Sequence, residues 1–427
     1  MLFSSITDES CIPLINPLID GIELRLDQIP LPNLSNLSLP YIFTPKTSDE
    51  RLLEHLLSYS PPYFDLDFNT PPSLLHKIIE KNPKTKFILS YHNFEKLPDD
   101  LEEIFVKMQQ FPVFSYKIAA FTKNCIEALK LLLFKKKFPK LSVICMGEDS
   151  QFARILGPLV GNVIDYAYLG DRPIAPGQLS TKDFLEIYRY KHLNPLTDIY
   201  ALLGDPVSQS IGHLYHNNIF KMQNQNALYI KIKVKEEELA SFFSLISHFR
   251  FKGFSVTMPL KEKIIPFLDE LDSSAKAIGA VNTILVKNGR LIGTNTDGKG
   301  ALDAFEKKGF FVKNKIVVIM GAGGAAKAVA HEANLRGAKV WIYNRDEKKA
   351  KTLNYPLGVP NHFDILIKCT PKPLPISFHS KPCVMDIVYQ PKITPFLEEA
   401  IKKGCQIISG EEMFFNQAEA QSKLWNF

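Results

Sequence analysis

Two lysines and their polar neighbours are the residues of this chain best suited to chemistry. Lys117 lies within the apolar run FSYKIAAF, where removal from water favours the neutral amine that attacks a carbonyl group. His92 ends the run KFILSYH and could transfer protons. Lys261 in VTMPLK and Asp297 in NTDG could pass a proton to one hydroxyl as hydride moves at its carbon. Each also has a structural interpretation, as a satisfied core histidine, a snorkelling lysine or a surface ion pair.

The segment GIELRLD carries three charges on one face of a predicted strand. Alternation places Glu23, Arg25 and Asp27 on one side and apolar residues on the other. In a barrel the apolar side packs against helices, so the charged side faces the axis. Ionised groups there cost free energy unless they are paired or used, which leaves a buried ion-pair network or a catalytic interior as the two interpretations.

Eight short apolar runs alternate with helical segments over the first 190 residues and predict a compact (β/α)8 TIM barrel. Helical periodicity is clear in DERLLEHLLSY and FTKNCIEALKLLLF. Prolines blur the first repeat. Barrel enzymes place their chemistry at the carboxyl ends of the strands, so the site is expected there. The eight runs are LFSSI, GIELRLD, YIFTP, YFDLDF, KFILSYH, FSYKIAAF, LSVICMG and VIDYAYLG.

Residues 1–190 resemble type I 3-dehydroquinate dehydratases. The likeness rests on the E-x-R-x-D strand, the SYHNF strand end, the YKIA strand, FARILG and an intact APGQ loop. It implies that Lys117 forms an iminium with the ring ketone, and that His92 removes the adjacent proton and then helps hydroxyl leave as water. It also implies that Glu50 orients His92 and that Arg154 binds the substrate carboxylate. Further implied substrate contacts are Glu23, Arg25, Lys46 and Gln178.

The dehydratase likeness has departures that bear on binding strength and loop closure. Lys46 stands where that family usually has arginine, which loses a bidentate fork. Arg51 and Leu52 replace paired glycines, Asn93 replaces an aspartate after the histidine, and Ile174 replaces a serine before APGQ. The side chains expected to react are both present.

The segment KIVVIMGAGGAAKAVAHEAN, which begins at residue 315, predicts a dinucleotide site. An apolar strand enters a glycine turn and leaves as a helix, whose first N–H groups can hold a pyrophosphate. Packing alone could also explain the small residues. The next strand ends in Asn344 and Arg345, a pair that favours NADP over NAD, although Asp346 adds an opposing charge. The predicted cofactor contacts are Gly321, Ala322, Gly323, Gly324, Ala325, Asn344, Arg345 and Lys349.

Residues 198–427 resemble shikimate dehydrogenases along their whole length. Eight signatures occur in one order: GDPVSQS, GFSVTMPLK, AIGAVNT, GTNTDGKG, GAGGAAKA, YNRD, DIVYQPKITPFL and EEMFFNQA. The resemblance implies NADPH-dependent reduction with Lys261 and Asp297 as the acid/base pair, Lys261 being the more important. It implies that Ser210 binds a carboxylate, and that Thr257, Asn282 and Gln417 bind hydroxyls.

Three positions in this half remain open. The usual S-x-S-P reads Ser210, Ile211, Gly212, His213, so either Ser208 or His213 could supply the missing second contact. Tyr389 could contact substrate or form an aromatic wall near the nicotinamide. Lys368 and Cys369 replace the familiar asparagine and alanine, which could alter the nicotinamide end.

Composition indicates a soluble globular protein with two or three domains. The 427 residues are 45% hydrophobic and 22% charged, with a net charge of +6. The lysine-rich run at 129–140 indicates a solvated helix end more than a nucleic-acid or membrane surface. The six cysteines lack C-x-x-C spacing, so reduced thiols and no metal site are expected. With no targeting or membrane-spanning pattern, the expectation is a cytoplasmic enzyme whose partners are small molecules.

The two resemblances together predict an α/β protein with consecutive activities. The expected domains are a barrel over 1–192, a substrate-binding lobe over 198–296, and a Rossmann NADP-binding lobe over 297–427 whose last helix returns to the substrate lobe. Dehydration to 3-dehydroshikimate would precede reduction to shikimate, as in the bifunctional enzymes of plants and some bacteria. Two alternatives remain: a dehydrogenase with an inactive barrel, and a non-catalytic metabolite-sensing regulator, which should lack catalytic residues and carry a DNA-binding segment.

Overall fold

The computed structural model describes residues 1–370 and 381–426. The chain forms two compact units. The first comprises Met1–Asp198, Gln225–Val234 and Ser244–Arg250, and the second comprises Ile199–Asn224, Lys235–Phe243 and Phe251–Phe427. The finer domain boundaries expected from the sequence stay a prediction. In the described part of the chain, no helix has the length and apolar character needed to cross a membrane.

Eight parallel strands form the sheet of the first unit. Each coincides with one of the eight apolar runs, so the barrel prediction is confirmed. The strands are β1 Leu2–Ile6, β2 Gly21–Leu24, β3 Tyr41–Phe43, β4 Tyr63–Asp67, β5 Lys86–Asn93, β6 Ser115–Phe121, β7 Leu141–Met146 and β8 Asp165–Tyr168. Hydrogen-bonded neighbours follow the order β7-β6-β5-β4-β3-β2-β1-β8, which makes a nearly closed barrel.

Helices connect most of these strands. They are α1 Glu50–Leu57, α2 Pro72–Lys81, α3 Leu101–Met108, α4 Cys125–Lys136, α5 Gln151–Ile155 and α6 Gly157–Val160. The first two connections differ from a regular repeat, because they contain only the short 3₁₀ helices Glu9–Leu14 and Leu34–Asn36. Pro13 lies inside the first of these, where a proline prevents α-helical hydrogen bonding. At the end of α4, Lys135 is buried rather than solvated and donates to the carbonyl of Phe138.

An apolar layer fills part of the barrel interior, and a polar layer lies beside it. The apolar layer contains Phe3, Ile42, Tyr63, Ile88, Ala119, Ile144, Met146, Ile164 and Tyr166. Two residues further along their strands come Ser5, Thr44, Asp65 and Ser90, all buried. Because side chains alternate along a strand, these polar groups share the interior with the apolar ones. The barrel interior therefore has an apolar layer and, beside it, a polar layer where chemistry can occur.

The second unit begins with a mixed sheet. Its strands are β9 Asp198–Gly204, β11 Phe251–Val256, β12 Glu270–Leu271, β13 Thr283–Lys287 and β14 Arg290–Thr294, while β10 Ala227–Lys233 groups with the first unit. Strand β11 pairs parallel with β9 and antiparallel with β13, and β14 pairs with β13 and β12. The helices of this segment are α7 Gly212–Met222, α8 Leu239–Ile246, α9 Leu260–Lys263 and α10 Ser273–Ile278.

A five-stranded parallel sheet follows in the same unit. Its strands are β15 Ile316–Met320, β16 Lys339–Tyr343, β17 Ile365–Lys368, β18 Cys383–Asp386 and β19 Gln406–Ile408. The order β16-β15-β17-β18-β19 reverses direction at β15, the point where doubly wound sheets bind ligands. The associated helices are α11 Asp297–Lys307, α12 Gly324–Leu335, α13 Glu347–Lys351, α14 Pro395–Lys402 and α15 Gly410–Leu424. Apolar clusters cover both faces of the sheet. This packing fixes the position of the edge at which such sheets bind ligands.

Candidate active sites

The barrel interior holds a lysine between two carboxylates. Lys117 is buried on β6, and its Nζ lies 2.5 Å from Asp65 Oδ2 and 4.0 Å from Glu23 Oε1. The ring centroid of Tyr166, on β8, lies 4.8 Å from the same nitrogen. Alternation along β4 brings Asp65 to the interior beside Lys117, although the neighbours of the lysine within its own strand are apolar.

Hydroxyl groups hold both carboxylates in place. Ser90 Oγ donates to Asp65 Oδ1 at 2.5 Å, while Ser5 Oγ and Thr44 Oγ1 donate to Glu23 at 2.5 and 3.1 Å. Burial raises the pKa of Asp65, and the adjacent ammonium acts in the opposite direction. Motif comparison missed Asp65, although the alternation in YFDLDF carries the same signal as that in GIELRLD.

His92 lies near the carboxyl end of β5, beside β6. Its Nδ1 is buried and has no hydrogen-bond partner in the described part of the protein. Burial, and then the charges of Lys117, Lys46 and Arg25, lower its pKa well below the usual 6.5. The ring stacks against Phe94 at 5.9 Å. His92 is therefore neutral near pH 7 and able to accept a proton.

The structure does not bring Glu50 to His92 as expected. Asp49 caps α1 by accepting from backbone N–H groups of its first turn, and this cap makes Glu50 the first helical residue. The Glu50 side chain is exposed and forms an ion pair with Lys77 on α2. A solvated pair between neighbouring helices satisfies this carboxylate, so its predicted role as the orienting group of the imidazole is not supported by this geometry.

Arg25 and Asp27 lie just beyond the end of β2 at Leu24. Their side chains are mostly buried and form a bidentate pair, with contacts of 2.9 and 2.8 Å. Of the three charges expected on the inner face, only Glu23 is therefore on the strand itself. The other two, Arg25 and Asp27, form an ion pair beyond the strand end. They are therefore paired with each other and at the same time lie where they could contact a substrate.

Lys46 follows β3 with a φ of +45°, in the left-handed region. Its Nζ lies 5.0 Å from the centroid of the Phe94 ring. Burial and the like charges of Arg25 and Lys117 lower the pKa of this amine. Lys46 is thus a partly buried cation beside the histidine, as a contact to an anionic substrate requires.

Arg154 and the APGQ loop meet beside β7. Arg154, on α5, is buried and donates from Nη2 to the carbonyl of Pro176 at 3.2 Å, while its Nε has no partner in residues 1–370 or 381–426. Burial lowers its pKa to about 10. Gln178 is also buried, and its Oε1 accepts from the Ile174 N–H. A buried guanidinium with an unused donor is a ready contact for a carboxylate.

The second unit contains another lysine–carboxylate pair, which is partly buried. Lys261 lies on α9, directly after the turn that ends β11, and Asp297 is the first residue of α11. Lys261 Nζ and Asp297 Oδ2 are 2.5 Å apart, and the aspartate is nearly inaccessible. The two motifs therefore meet as expected, in a position to act on one hydroxyl.

Asn282 fixes the aspartate from the other side. Its Nδ2 donates to Asp297 Oδ1 at 2.8 Å and to Thr296 Oγ1 at 2.9 Å, and the Thr296 N–H donates back to Asn282 Oδ1. Gln417, on α15, brings its Oε1 within 3.4 Å of the same amide. Thr257 lies at the end of β11 and is only partly exposed. The structure therefore gathers all these predicted residues in one unit.

Ser210 and Tyr389 are also brought together. Burial raises the pKa of Tyr389, while hydrogen bonding with Ser210 acts in the opposite direction. Ser210 Oγ accepts from the Gly212 N–H at 3.2 Å. Ser208 is exposed in the turn after β9. The Ser210–Tyr389 contact supports a substrate-facing role for the tyrosine.

The glycine turn after β15 has the geometry of a nucleotide site. Gly321 has a φ of +123°, which non-glycine residues rarely adopt. Gly323 is the N-cap of α12, and a Cβ added to it would meet no described atom within 4 Å. Gly324 packs closely on Lys261, since a Cβ there would lie 3.1 Å from that side chain. The open space and the helix start without a side-chain cap fit a pyrophosphate, and the turn lies next to Lys261. Ala322 and Ala325 complete this turn.

The end of β16 offers an exposed cation. Asn344 donates to the Asp346 carbonyl at 2.8 Å, and Asp346 caps α13 by accepting from the Lys349 N–H. Arg345 is exposed and makes no hydrogen bond or ion pair within the described residues. Because the Asp346 carboxylate is engaged by the helix start, it opposes a phosphate near Arg345 less than the sequence suggests.

Lys368 lies at the end of β17 in a buried network. Its Nζ is 2.9 Å from Asp386 Oδ2, which also accepts from Thr394 Oγ1 at 2.8 Å. The lysine that departs from the familiar pattern is therefore neutralised by its own sheet. Cys369 follows it, and its carbonyl lies against Gly321.

Comparisons with known proteins identify two family models in the chain. The model described as type I 3-dehydroquinase matches residues 15–195, and the model described as shikimate dehydrogenase substrate binding domain matches residues 202–284.

Two relatives match nearly the whole chain. The shikimate biosynthesis protein AroDE of Chlamydia pneumoniae is 39% identical over 96% of this chain and 90% of its own length. The bifunctional 3-dehydroquinate dehydratase/shikimate dehydrogenase of Arabidopsis thaliana, described as chloroplastic, is 32% identical over 95% of this chain and 77% of its own.

Solved structures match one part of the chain. Shikimate dehydrogenase from Aquifex aeolicus is 34% identical with a TM-score of 0.52, covering 55% of this chain and 94% of that one. The Thermus thermophilus enzyme, solved with NADP(H) and shikimate, is 31% identical with a TM-score of 0.51, covering 54% and 93%.

Proposed function

The chain belongs to the family of bifunctional 3-dehydroquinate dehydratase/shikimate dehydrogenase enzymes, and we infer that it makes shikimate from 3-dehydroquinate in two steps. One observation carries this proposal for the sites themselves. Each unit holds its own lysine–carboxylate pair, the buried pair Lys117 with Asp65 and the partly buried pair Lys261 with Asp297. The first pair suits iminium chemistry, and the second suits proton transfer to an alcohol.

In the barrel, Lys117 attacks the ring ketone of 3-dehydroquinate and forms an iminium. The positive nitrogen withdraws electrons from the adjacent carbon and makes its proton acidic. His92 removes that proton, because its lowered pKa keeps the imidazole neutral. The resulting imidazolium then protonates the departing hydroxyl, which leaves as water. Hydrolysis of the iminium frees 3-dehydroshikimate and restores Lys117.

The charged groups around the lysine bind the substrate. Arg154 directs an unused donor toward the carboxylate, and Lys46 adds a second positive charge beside the histidine. Glu23, Arg25 and Gln178 provide carboxylate, guanidinium and amide groups for the ring hydroxyls. We assign no catalytic step to Glu50, since its carboxylate pairs with Lys77.

In the second unit, Lys261 gives a proton to the carbonyl oxygen of 3-dehydroshikimate as it becomes a hydroxyl. Asp297 holds the Lys261 ammonium in place and is itself fixed by Asn282. Ser210, with Ser208 nearby in the same turn, binds the carboxylate. Thr257, Asn282 and Gln417 bind hydroxyls, and Tyr389 contacts the substrate beside Ser210.

The cofactor of this step is NADPH, which supplies the hydride when bound, as the NADP-dependent relatives indicate. The backbone of residues 321–325 would hold the pyrophosphate at the start of α12. Arg345, with Asn344 and Lys349 beside it, would bind the ribose phosphate. The close packing of Gly324 on Lys261 places the cofactor turn against the proton donor.

Two half-reactions test this assignment. Borohydride added with 3-dehydroquinate should reduce the iminium and leave a stable adduct on Lys117, detectable by peptide mass spectrometry. Lys117→Ala should lose the adduct and the dehydratase activity while keeping NADPH oxidation with 3-dehydroshikimate. A wild-type protein that forms no adduct, yet reduces 3-dehydroshikimate, would instead be a dehydrogenase with an inactive barrel.

The second half-reaction needs its own variant. Lys261→Ala should lower kcat for NADPH oxidation by about 100-fold or more, because it removes the proton donor. The same variant should dehydrate 3-dehydroquinate at the wild-type rate. Unchanged NADPH oxidation would contradict the role of Lys261.

A further inference from the structure

The group nearest to the lysine nitrogen in the barrel is not the proposed base, His92. Asp65 Oδ2 lies 2.5 Å from Lys117 Nζ, and both residues are buried. The Nδ1 of His92 has no hydrogen-bond partner among the described residues, so that nitrogen is not bonded to Lys117. Proton transfer to and from the lysine therefore has a direct route through the aspartate.

Iminium formation requires such a route. A lysine ammonium and a ketone become an iminium and water, so the nitrogen loses two of its three protons and both end on the departing oxygen. Each transfer needs a partner at hydrogen-bond distance in a site that excludes water. His92 is already used at the ring carbon and the hydroxyl of the later dehydration.

We propose, on the basis of the dehydratase function assigned above, that Asp65 is a catalytic residue that moves the protons of iminium formation and hydrolysis at Lys117. Asp65 first accepts a proton from the ammonium and leaves a neutral amine. The amine attacks the carbonyl carbon, and a second proton passes from nitrogen to the oxygen, giving a neutral carbinolamine. Asp65 then returns its proton to the hydroxyl, the C–O bond breaks, and water leaves as the C=N bond forms. The aspartate ends as a carboxylate, and the reverse sequence hydrolyses the product iminium.

The second carboxylate of the cluster is less suited to this task. Glu23 lies 4.0 Å from Nζ and already accepts hydrogen bonds from Ser5 and Thr44. Asp65 accepts from Ser90 only through Oδ1, which leaves Oδ2 directed at the lysine. Burial raises the pKa of Asp65, so the carboxyl can hold a proton briefly. The other titratable and charged groups facing this cluster are Arg25, Lys46, His92 and Tyr166.

The test is the rate at which the Lys117 adduct forms. Wild type and Asp65→Asn are mixed with 3-dehydroquinate, quenched with borohydride at intervals and analysed by mass spectrometry. The variant should form the adduct about 100-fold more slowly, in the range that general acid–base groups contribute. Its rate should rise steadily with pH, because hydroxide replaces the missing acceptor. A wild-type rate, or a slow rate that does not respond to pH, would overturn the proposal.

Two further variants separate chemistry from structure. Asp67→Asn makes the same change two residues along β4, where the carboxylate accepts only from the Asn69 N–H among the described residues, and should form the adduct at close to the wild-type rate. Ser90→Ala keeps the Asp65 carboxylate but removes its hydroxyl support, and should slow the adduct less than Asp65→Asn does. An equal loss in Ser90→Ala and Asp65→Asn would assign Asp65 a structural role and contradict the proposal. A wild-type circular dichroism spectrum and thermal unfolding profile show that the barrel of each variant is folded, and absence of the adduct in wild type would reject the proposed function itself.

Discussion

At the scale of single residues, three cations prepare His92 to act as a base. Partial burial reduces the contact of its ring with water, and Lys117, Lys46 and Arg25 each disfavour a further positive charge. The folded protein therefore keeps His92 neutral at pH values where a free histidine would be protonated. Dehydration should stay active as pH falls through 6.5 and decline only at the lower pKa of the buried imidazole.

Removing one of these cations should shift the pH at which dehydration activity begins to fall on the acid side of the profile. In Lys46→Gln, the pKa of His92 rises because one like charge is gone, so kcat/KM for dehydration should begin to fall at a higher pH than in wild type. The measurement is the pH profile of 3-dehydroquinate dehydration from pH 4.5 to 8. Lys140→Gln, an exposed change elsewhere on the barrel, should leave the acid side of the pH profile unchanged. A Lys46→Gln profile that coincides with wild type would show that Lys46 does not act on the histidine.

The residues of the barrel site differ in how well the sequence revealed them. Lys117 and His92 lie on strands whose apolar flanks fix their position, so pattern and resemblance both located them. Glu50 could not be judged from sequence, because its direction depends on the Asp49 cap and on Lys77 across the helix pair. The alternation of polar and apolar residues in YFDLDF could have predicted that Asp65 faces the barrel interior, but Asp65 belongs to no motif used for the resemblance. The Tyr166 hydroxyl is buried and has no hydrogen-bond partner among the described residues, a feature that depends on closure of the barrel and that the sequence does not show.

At the scale of elements, α15 connects the end of the chain to the proton-transfer site. Gln421 donates to the Asn282 carbonyl at 3.2 Å and to Thr283 Oγ1 at 2.9 Å, and it accepts from Ser255 Oγ at 3.0 Å. Trp425 donates to the Ile284 carbonyl at 3.1 Å. The helix thus fixes the start of β13, next to which Asn282 donates to Asp297, the aspartate that we propose for proton transfer.

Removing the hydrogen bonds of Gln421 should lower the rate of NADPH oxidation and leave dehydration unchanged. Gln421→Ala removes the buried hydrogen bonds that Gln421 makes with Asn282, Thr283 and Ser255, at a cost of about 1–3 kcal/mol. We expect kcat for NADPH oxidation to fall by about 10-fold, since misplacement of Asp297 acts on the chemical step. Lys423→Ala, on the exposed side of the same helix, should change neither activity. If Gln421→Ala affects only thermal stability and not kcat, the helix has no positioning role.

The elements themselves were largely accessible from sequence. Strands with continuous or alternating apolar residues bordered by turns were all identified in the barrel, and glycine at the β15–α12 turn located the nucleotide edge. The first two barrel connections were not, because Pro13 and the short segment at Leu34–Asn36 support only 3₁₀ turns. In these two connections the local conformational preference of the residues prevents the α-helix that the regular β/α repeat would require.

At the scale of the whole molecule, the two activities draw on separate sets of residues. Every group assigned to dehydration lies in the first unit, and every group assigned to reduction lies in the second. Neither site borrows a proton carrier or carboxylate contact from the other. The chemistry of each step is therefore complete within its own unit.

This separation predicts that two damaged proteins can complement each other. Lys117→Ala retains reduction and Lys261→Ala retains dehydration, so each alone should fail to oxidise NADPH when given 3-dehydroquinate. An equimolar mixture should restore NADPH oxidation after a lag, during which 3-dehydroshikimate accumulates in solution. Raising the concentration of Lys117→Ala should shorten the lag, because capture of the free intermediate is then faster. A mixture that stays inactive, although each variant passes its own half-reaction assay, would mean that the intermediate never leaves the protein that made it.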